Sequence, residues 1–169
     1  MAKKKETISG NYENEFAIIG IACHDFDYRI IHFLNKISNF NFTRYEDFLI
    51  PATSQENDGG FPFYFFNDSE NYTSYHFIAN RSADGILIKE WKQIDYLLVI
   101  FGSVHSLNIK SLIQEIRKLP IVLAATEMPR NYKIGVENLV LDIELHIIEI
   151  QRKEKELERL AKNKLKNTR

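Results

Sequence analysis

The chain has 169 residues, of which 44% are hydrophobic and 27% are charged, and it contains a single cysteine. These values are typical of one globular domain; the lone cysteine excludes an intramolecular disulfide, and the longest apolar run, residues 96–101, is too short to span a bilayer. The net charge of −1 is unevenly divided, because residues 6–150 are acidic whereas residues 151–169 carry eight basic and three acidic side chains.

The first third of the chain predicts a strand followed by a helix. Residues 16–23 form a short, Ile-rich apolar run typical of a buried strand. Asp25 is placed to cap a helix that extends to Ser38 or Asn39. Apolar side chains at helical spacing are predicted to face the core: Phe26, Ile30, Phe33, Leu34 and Ile37. Residues 41–50 are ambiguous, with an extended segment as one interpretation, and residues 51–60 predict a loop.

The middle of the chain predicts consecutive short strands. They are expected at residues 61–67, 74–80, 86–89 and 94–101, with a tight hairpin turn at Asp84-Gly85. Four strands joined by short links indicate an antiparallel meander. Helical spacing then predicts a helix over residues 106–119 that ends at Pro120, followed by a strand over residues 121–127 and a loop over residues 128–135.

The last third is consistent with two structures. Between Leu139 and Ile147 every odd position is apolar, which favours a strand, yet Val136, Leu139, Ile143 and Ile150 also follow helical spacing. We favour a strand to about His146, followed by a helix. Residues 151–169 form a basic helical tail, since favourable charge pairs are spaced four residues apart and no Gly or Pro interrupts it.

Together these elements predict an α+β fold: an antiparallel β-meander with two packed helices and a charged C-terminal helical tail. We assign residues 6–150 to a single domain and residues 151–169 to the tail.

The sequence offers few catalytic constellations. It lacks a phosphate-binding loop, a dinucleotide fingerprint and paired metal-ligand motifs. Cys23, His24 and Asp25 are the residue types of a thiol hydrolase, but adjacent residues at the end of a strand point in different directions. His24 and Asp27 are a weak pair of metal ligands. We therefore predict no catalytic residue, metal or cofactor.

Residues 61–66 read FPFYFF, so both faces of this strand are apolar. Such a strand either is covered on both faces or presents a contact surface, including one that stacks RNA bases. The acidic surroundings favour packing within the core.

Residues 88–96 read IKEWKQIDY and resemble the signature of a bacterial family of unknown function, the IPExxxVDY family. The segments HDFDYRIIHFLNK, IANRSADGILI and VENLV are similar to other conserved segments of that family, in the same order. Lys89 stands where the motif has Pro, and Ile94 where it has Val. The resemblance implies a bacterial protein, and the family has no assigned activity.

The resembling segments contain six candidate binding residues: Asp27, Arg29, Asn80, Arg81, Glu90 and Asp95. Asp95 begins an otherwise apolar strand face, and a covered carboxylate needs a cationic partner, for which Arg29 and Arg81 are the obvious donors. We expect a structural ion pair, with a ligand-binding carboxylate as the alternative.

The sequence favours a cytoplasmic, non-catalytic protein-interaction or adaptor module that binds a protein partner and makes no membrane contact. The alternative is RNA or ribosome association through the basic tail. The acidic body repels phosphate, whereas the basic tail could bind it. The oligomeric state, the partner and the ligand are left open by the sequence.

Overall fold

The computed structural model describes residues 16–37, 40–49, 60–83, 85–129 and 135–167. The strands in chain order are β1 (Phe16–Ala22), β2 (Thr43–Arg44), β3 (Phe63–Asp68), β4 (Thr73–Ala79), β5 (Arg81–Ser82), β6 (Gly85–Ile86), β7 (Tyr96–Gly102) and β8 (Ala124–Glu127). Six of them form an antiparallel sheet in the order β2-β3-β4-β7-β1-β8, and β5 pairs with β6 in a separate hairpin.

Three α-helices cover the two faces of this sheet. They are α1 (Asp27–Leu34), α2 (Ile109–Arg117) and α3 (Gly135–Asn167). Apolar side chains of α1 and α2, such as Leu34 and Ile116, pack on one face. Side chains of α3, such as Leu139 and Ile143, belong to a second core on the opposite face. The sheet is therefore the middle layer of three.

Burial on both faces explains the continuous apolar runs. Successive strand residues point to opposite faces, so a strand covered on both sides needs apolar residues at every position. In β3, Phe63 belongs to the core beneath α3, whereas its neighbour Tyr64 belongs to the core beneath α1 and α2. Packing within the domain is thus confirmed for this aromatic strand.

The α+β class and an antiparallel meander are confirmed, since β3, β4 and β7, which correspond to three of the four predicted strands, are neighbours in the sheet. The third predicted strand, residues 86–89, is wrong, because it does not join this sheet. Only Gly85–Ile86 is extended, and a 3-10 turn follows at Lys89–Trp91. The predicted tight turn is supported by Gly85, whose φ of 124° suits glycine.

The predicted strand over residues 139–146 is wrong, because α3 runs through this segment. Burial follows helical spacing there: Leu139, Ile143 and Ile150 are buried, whereas Leu141 and Leu145 are each 57% exposed. The apolar residues at alternate positions thus belong to two rows on the helix, one that faces the core and one that faces outward. The predicted tail is the continuation of α3.

Two predicted helices begin later than expected. The first begins at Asp27 rather than after Asp25, and its N-cap, Phe26, makes no side-chain capping bond. The second begins at Ile109, where the Asn108 side chain accepts a hydrogen bond from the Ser111 backbone N–H at 3.0 Å. The predicted loop at residues 51–60 lies outside the described residues except for Gly60.

Beyond Ile150, α3 extends away from the core. All residues from 151 to 163 are exposed, in agreement with a helix that projects and buries little. One anchor lies near its base, where Lys153 forms an ion pair with Glu46, whose carbonyl is 3.1 Å from His146 Nε2. No helix in the described part of the chain is long and apolar enough to cross a membrane.

Candidate functional site

The six candidate residues separate into one cluster and three other positions. Asn80, Arg81 and Asp95 meet where β4, β7 and the end of β1 come together. Arg29 and Asp27 lie at the start of α1, and Glu90 lies in the 3-10 turn. The structure therefore brings together the residues around the IKEWKQIDY segment.

Asn80 is fully buried and organises the IKEWKQIDY segment. Its side-chain nitrogen donates to the carbonyls of Trp91 and Ile94 at 3.0 and 2.9 Å. Its side-chain oxygen accepts from the Ile88 N–H at 2.9 Å. One side chain thus satisfies three backbone groups of the turn that precedes β7, which is a structural role.

Asp95 divides its two carboxylate oxygens between two partners. One oxygen lies 3.1 Å from Arg81 Nε, and the other accepts the Cys23 backbone N–H at 2.9 Å. The side chain of Asp95 is 13% exposed, whereas that of Arg81 is 48% exposed. The predicted ion pair of Asp95 is confirmed with Arg81, and the carboxylate also fixes the end of β1.

Arg29 is not a partner of Asp95. Its guanidinium lies 2.7 Å from the carboxylate of Asp25, which is the nearer acid, four residues earlier in the chain. The backbone carbonyl of Asp25 accepts a hydrogen bond from the Tyr96 hydroxyl at 2.5 Å. The segment between β1 and α1 is therefore tied to β7 by the side chains of both Asp95 and Tyr96.

Asp27 binds the hydroxyl of Tyr64, which donates to its carboxylate at 2.8 Å. Burial, and then this hydrogen bond, raise the pKa of Tyr64 well above its usual value. A tyrosine with a raised pKa stays protonated at neutral pH, so it serves as a hydrogen-bond donor rather than a base. Glu90 is exposed beside the buried Trp91 and contributes nothing to the cluster.

Cys23 is poorly suited to nucleophilic chemistry. The residue is buried, and burial raises the pKa of its thiol, which disfavours the reactive thiolate. The neighbouring His24 is exposed. Among the described residues there is also no group of three or more His, Cys, Asp or Glu side chains placed to hold a metal ion.

The most accessible feature beside the cluster is a pair of aromatic rings at the start of α1. Phe26 and Tyr28 are 66% and 59% exposed. Their rings stack with centroids 5.6 Å apart and planes at 9°. Arg29 follows directly, with a side chain that is 51% exposed. We call Phe26, Tyr28 and Arg29 the α1 surface.

The sequence misplaced Phe26, which helical spacing predicted in the core. The residue precedes the helix and has extended backbone angles, φ −67° and ψ 149°, so the spacing rule does not apply to it. No signal in the sequence distinguishes this position from a first helical residue, since the neighbouring acids are compatible with both.

No family model matches the chain, and no curated protein matches it.

Proposed function

We propose that the protein is a non-catalytic interaction module that binds a partner protein through the α1 surface. The observation that carries this proposal is the exposed, stacked pair of Phe26 and Tyr28 beside a half-exposed arginine. Aromatic residues and arginine are the types enriched at the energetic centres of protein interfaces. An isolated exposed apolar residue would be ordinary, but two stacked rings form one continuous contact area.

The buried cluster behind this surface supports the same role. The hydrogen bonds from Cys23 N–H to Asp95 and from Tyr96 to Asp25 hold the segment that leads into α1. A surface that is already ordered loses less conformational entropy when a partner binds. The cluster thus supports binding without itself touching a ligand.

Membership of the IPExxxVDY family, a bacterial origin and a cytoplasmic location belong to the same proposal. The family assignment is supported by the resembling segments themselves, since residues of two of them, IANRSADGILI and IKEWKQIDY, join in the hydrogen bonds around Asn80 and Asp95. The cytoplasmic location is supported by the single cysteine, since the chain has no intramolecular disulfide of the kind that secreted proteins use.

The test compares proteins that copurify with the tagged full chain and with a Phe26→Ser/Tyr28→Ser variant. We expect partners retained at high salt by the wild type to be lost from the variant, with little change in melting temperature because both rings are exposed. Tyr72→Asn is the matched control, because Tyr72 is an 81% exposed aromatic residue elsewhere, with a φ of 50° that Asn accepts. The same partners on wild type and variant would refute the proposal.

RNA or ribosome association is the second candidate, favoured by the exposure of residues 151–163 of α3. Deletion of residues 152–169 should abolish RNA binding, because it removes eight basic side chains and leaves an acidic body. It should lower the melting temperature by only a few degrees, since the lost ion pair with Glu46 is exposed. Gel-shift titrations over a salt series and thermal melts check both. Unfolding or aggregation would show that the tail completes the core or a dimer.

A further inference from the structure

The outer side of α3 carries one continuous row of exposed side chains, distinct from the row that packs on the sheet. The positions are separated alternately by four and three residues: Leu141, Leu145, Ile148, Arg152, Lys155, Arg159 and Lys162. Side chains at this spacing line a single helix face. The first three are apolar and the next four are basic. We call this row the outer stripe.

The apolar half of the outer stripe has no cover in the described part of the chain. Leu141, Leu145 and Ile148 are 57%, 57% and 45% exposed. The buried residues of α3, such as Leu139 and Ile143, lie on the opposite side and already fill the contact with the sheet. Leu and Ile at alternating four- and three-residue spacing form the pattern by which one helix packs against another.

The basic half defines the chemistry of what would lie against it. Arg152, Lys155 and Lys162 are exposed, and the ion pair that Arg159 forms is with Glu156 of the same helix, at 3.3 Å. Glu156 and Glu158 of the same helix offset part of this charge, but the row itself holds four cations and no acid, so acidic groups of a partner at the same spacing would pair with it. A helix that complements the outer stripe would therefore carry apolar residues followed by acidic residues along its own contact face.

We propose that the outer stripe binds an amphipathic helix of a partner protein. Apolar residues of that helix would contact Leu141, Leu145 and Ile148, and its Asp or Glu residues would pair with Arg152, Lys155 and Arg159. The inference is independent of the α1 surface, because α1 and α3 cover opposite faces of the sheet. With both surfaces occupied, the module would join two partners.

A second copy of the chain is a poor occupant. Two parallel copies of α3 would place each cation of the outer stripe opposite the same cation. In an antiparallel pair with the apolar residues in contact, Lys155 would lie opposite the first residue of the other α3, Gly135, and Arg159 would extend beyond it. In the antiparallel pair Arg152 alone would lie close to an acidic position, Glu137, so both arrangements leave Lys155, Arg159 and Lys162 without acids.

The direct probe is a labelled helical peptide of about 21 residues, or three heptads, titrated with the full chain and followed by fluorescence anisotropy. Two acidic peptides of the same composition are used, one apolar then acidic and the other acidic then apolar, so that parallel and antiparallel binding are both sampled. A third peptide carries Lys in place of the acids. We expect one acidic peptide to bind and the Lys peptide not to bind.

Two variants and one matched control test which residues are responsible. Leu141→Gln/Leu145→Gln should weaken binding at least about tenfold, because buried apolar anchors dominate such contacts and Gln preserves the helix. Leu157→Gln/Leu160→Gln should bind normally, since these residues are exposed on other sides of the same helix. In a second variant the charge of the basic half is reversed by Arg152→Glu/Lys155→Glu/Arg159→Glu. This variant should no longer bind the acidic peptide and should bind the Lys peptide.

Three results would overturn the inference. In the first, neither acidic peptide binds. In the second, the peptides fail while single-stranded RNA binds with affinity that is unchanged by the two leucine substitutions. In the third, light scattering shows self-association that those substitutions abolish, which would assign the outer stripe to a second copy. None of these results concerns the α1 surface.

Discussion

Acidification below about pH 6 should destabilise the protein through His76, which is buried as a neutral side chain. His76 lies on β4 and is only 4% exposed. Its ring contacts Phe101 and Phe65, with centroids 4.8 and 5.0 Å apart, and its Nε2 is 3.0 Å from Ser74 Oγ. Its Nδ1 is buried with no hydrogen-bond partner among the described residues.

The direction of the effect follows from the two states of the chain. Burial, and then the nearby His146, lower the pKa of His76 to about 3 in the folded protein. In the unfolded chain the pKa of this side chain is about 6.5. Between about pH 3 and about pH 6.5 the unfolded state therefore binds a proton that the folded state does not bind. This contribution to the free energy of unfolding is therefore greatest above pH 6.5. It decreases as the pH is lowered, by up to about 5 kcal/mol as the folded pKa of about 3 is approached.

Denaturant unfolding measured from about pH 4 to about pH 8 checks this expectation. His76→Leu should flatten the dependence on pH, because it removes the titrating group and the unpartnered nitrogen while keeping a similar volume. His32→Gln is the control, since His32 is exposed on α1 and should leave the slope unchanged. If the dependence of the free energy of unfolding on pH is unchanged in His76→Leu, the acid sensitivity belongs to other groups. His146 is then the first candidate, because burial also lowers its pKa.

Local pattern was sufficient to predict the strands that form the centre of the sheet. The apolar runs in β1, β3 and β7 are strand-length and bounded by turns, so their conformation is encoded within the run itself. That Asp95 pairs with a cation also followed from the sequence, because a carboxylate at the start of an apolar face requires one, but the choice of Arg81 over Arg29 did not.

The predictions that were wrong depend on how helices and strands pack against one another, which local sequence patterns do not reveal. Whether residues 139–147 form a strand or a helix depends on which apolar residues are covered, and a single sequence does not record that. Leu141 and Leu145 completed a strand pattern only because they were assumed to be buried. Phe26 was placed in the core for the same reason. In both cases an exposed apolar residue, which carries the functional proposals here, imitated a core residue.

The role of Asn80 was equally hidden, because its three partners lie 8 to 14 residues further along the chain. A substitution of this residue should have one of the largest effects on stability in the protein. Asn80→Ala is expected to lower the free energy of unfolding by about 3 kcal/mol, since it leaves the Ile88 N–H and the Ile94 carbonyl unpaired at about 1–3 kcal/mol each, offset in part by rehydration, whereas the Trp91 carbonyl keeps its hydrogen bond from the Ile94 N–H. Asn67→Ala, at an exposed position in β3, should cost little.

A second substitution separates the two halves of the Asn80 side chain. Asn80→Asp keeps an acceptor for the Ile88 N–H but places a carboxylate oxygen against the carbonyl oxygens of Trp91 and Ile94, which repel it. Both variants should be destabilised in denaturant titrations. Hydrogen exchange should distinguish them, because the Ile88 amide stays protected in Asn80→Asp and exchanges faster in Asn80→Ala. Equal protection of that amide in both variants would mean that the segment holds its conformation without the hydrogen bond from the Ile88 N–H to Asn80, which would contradict the organising role of this side chain.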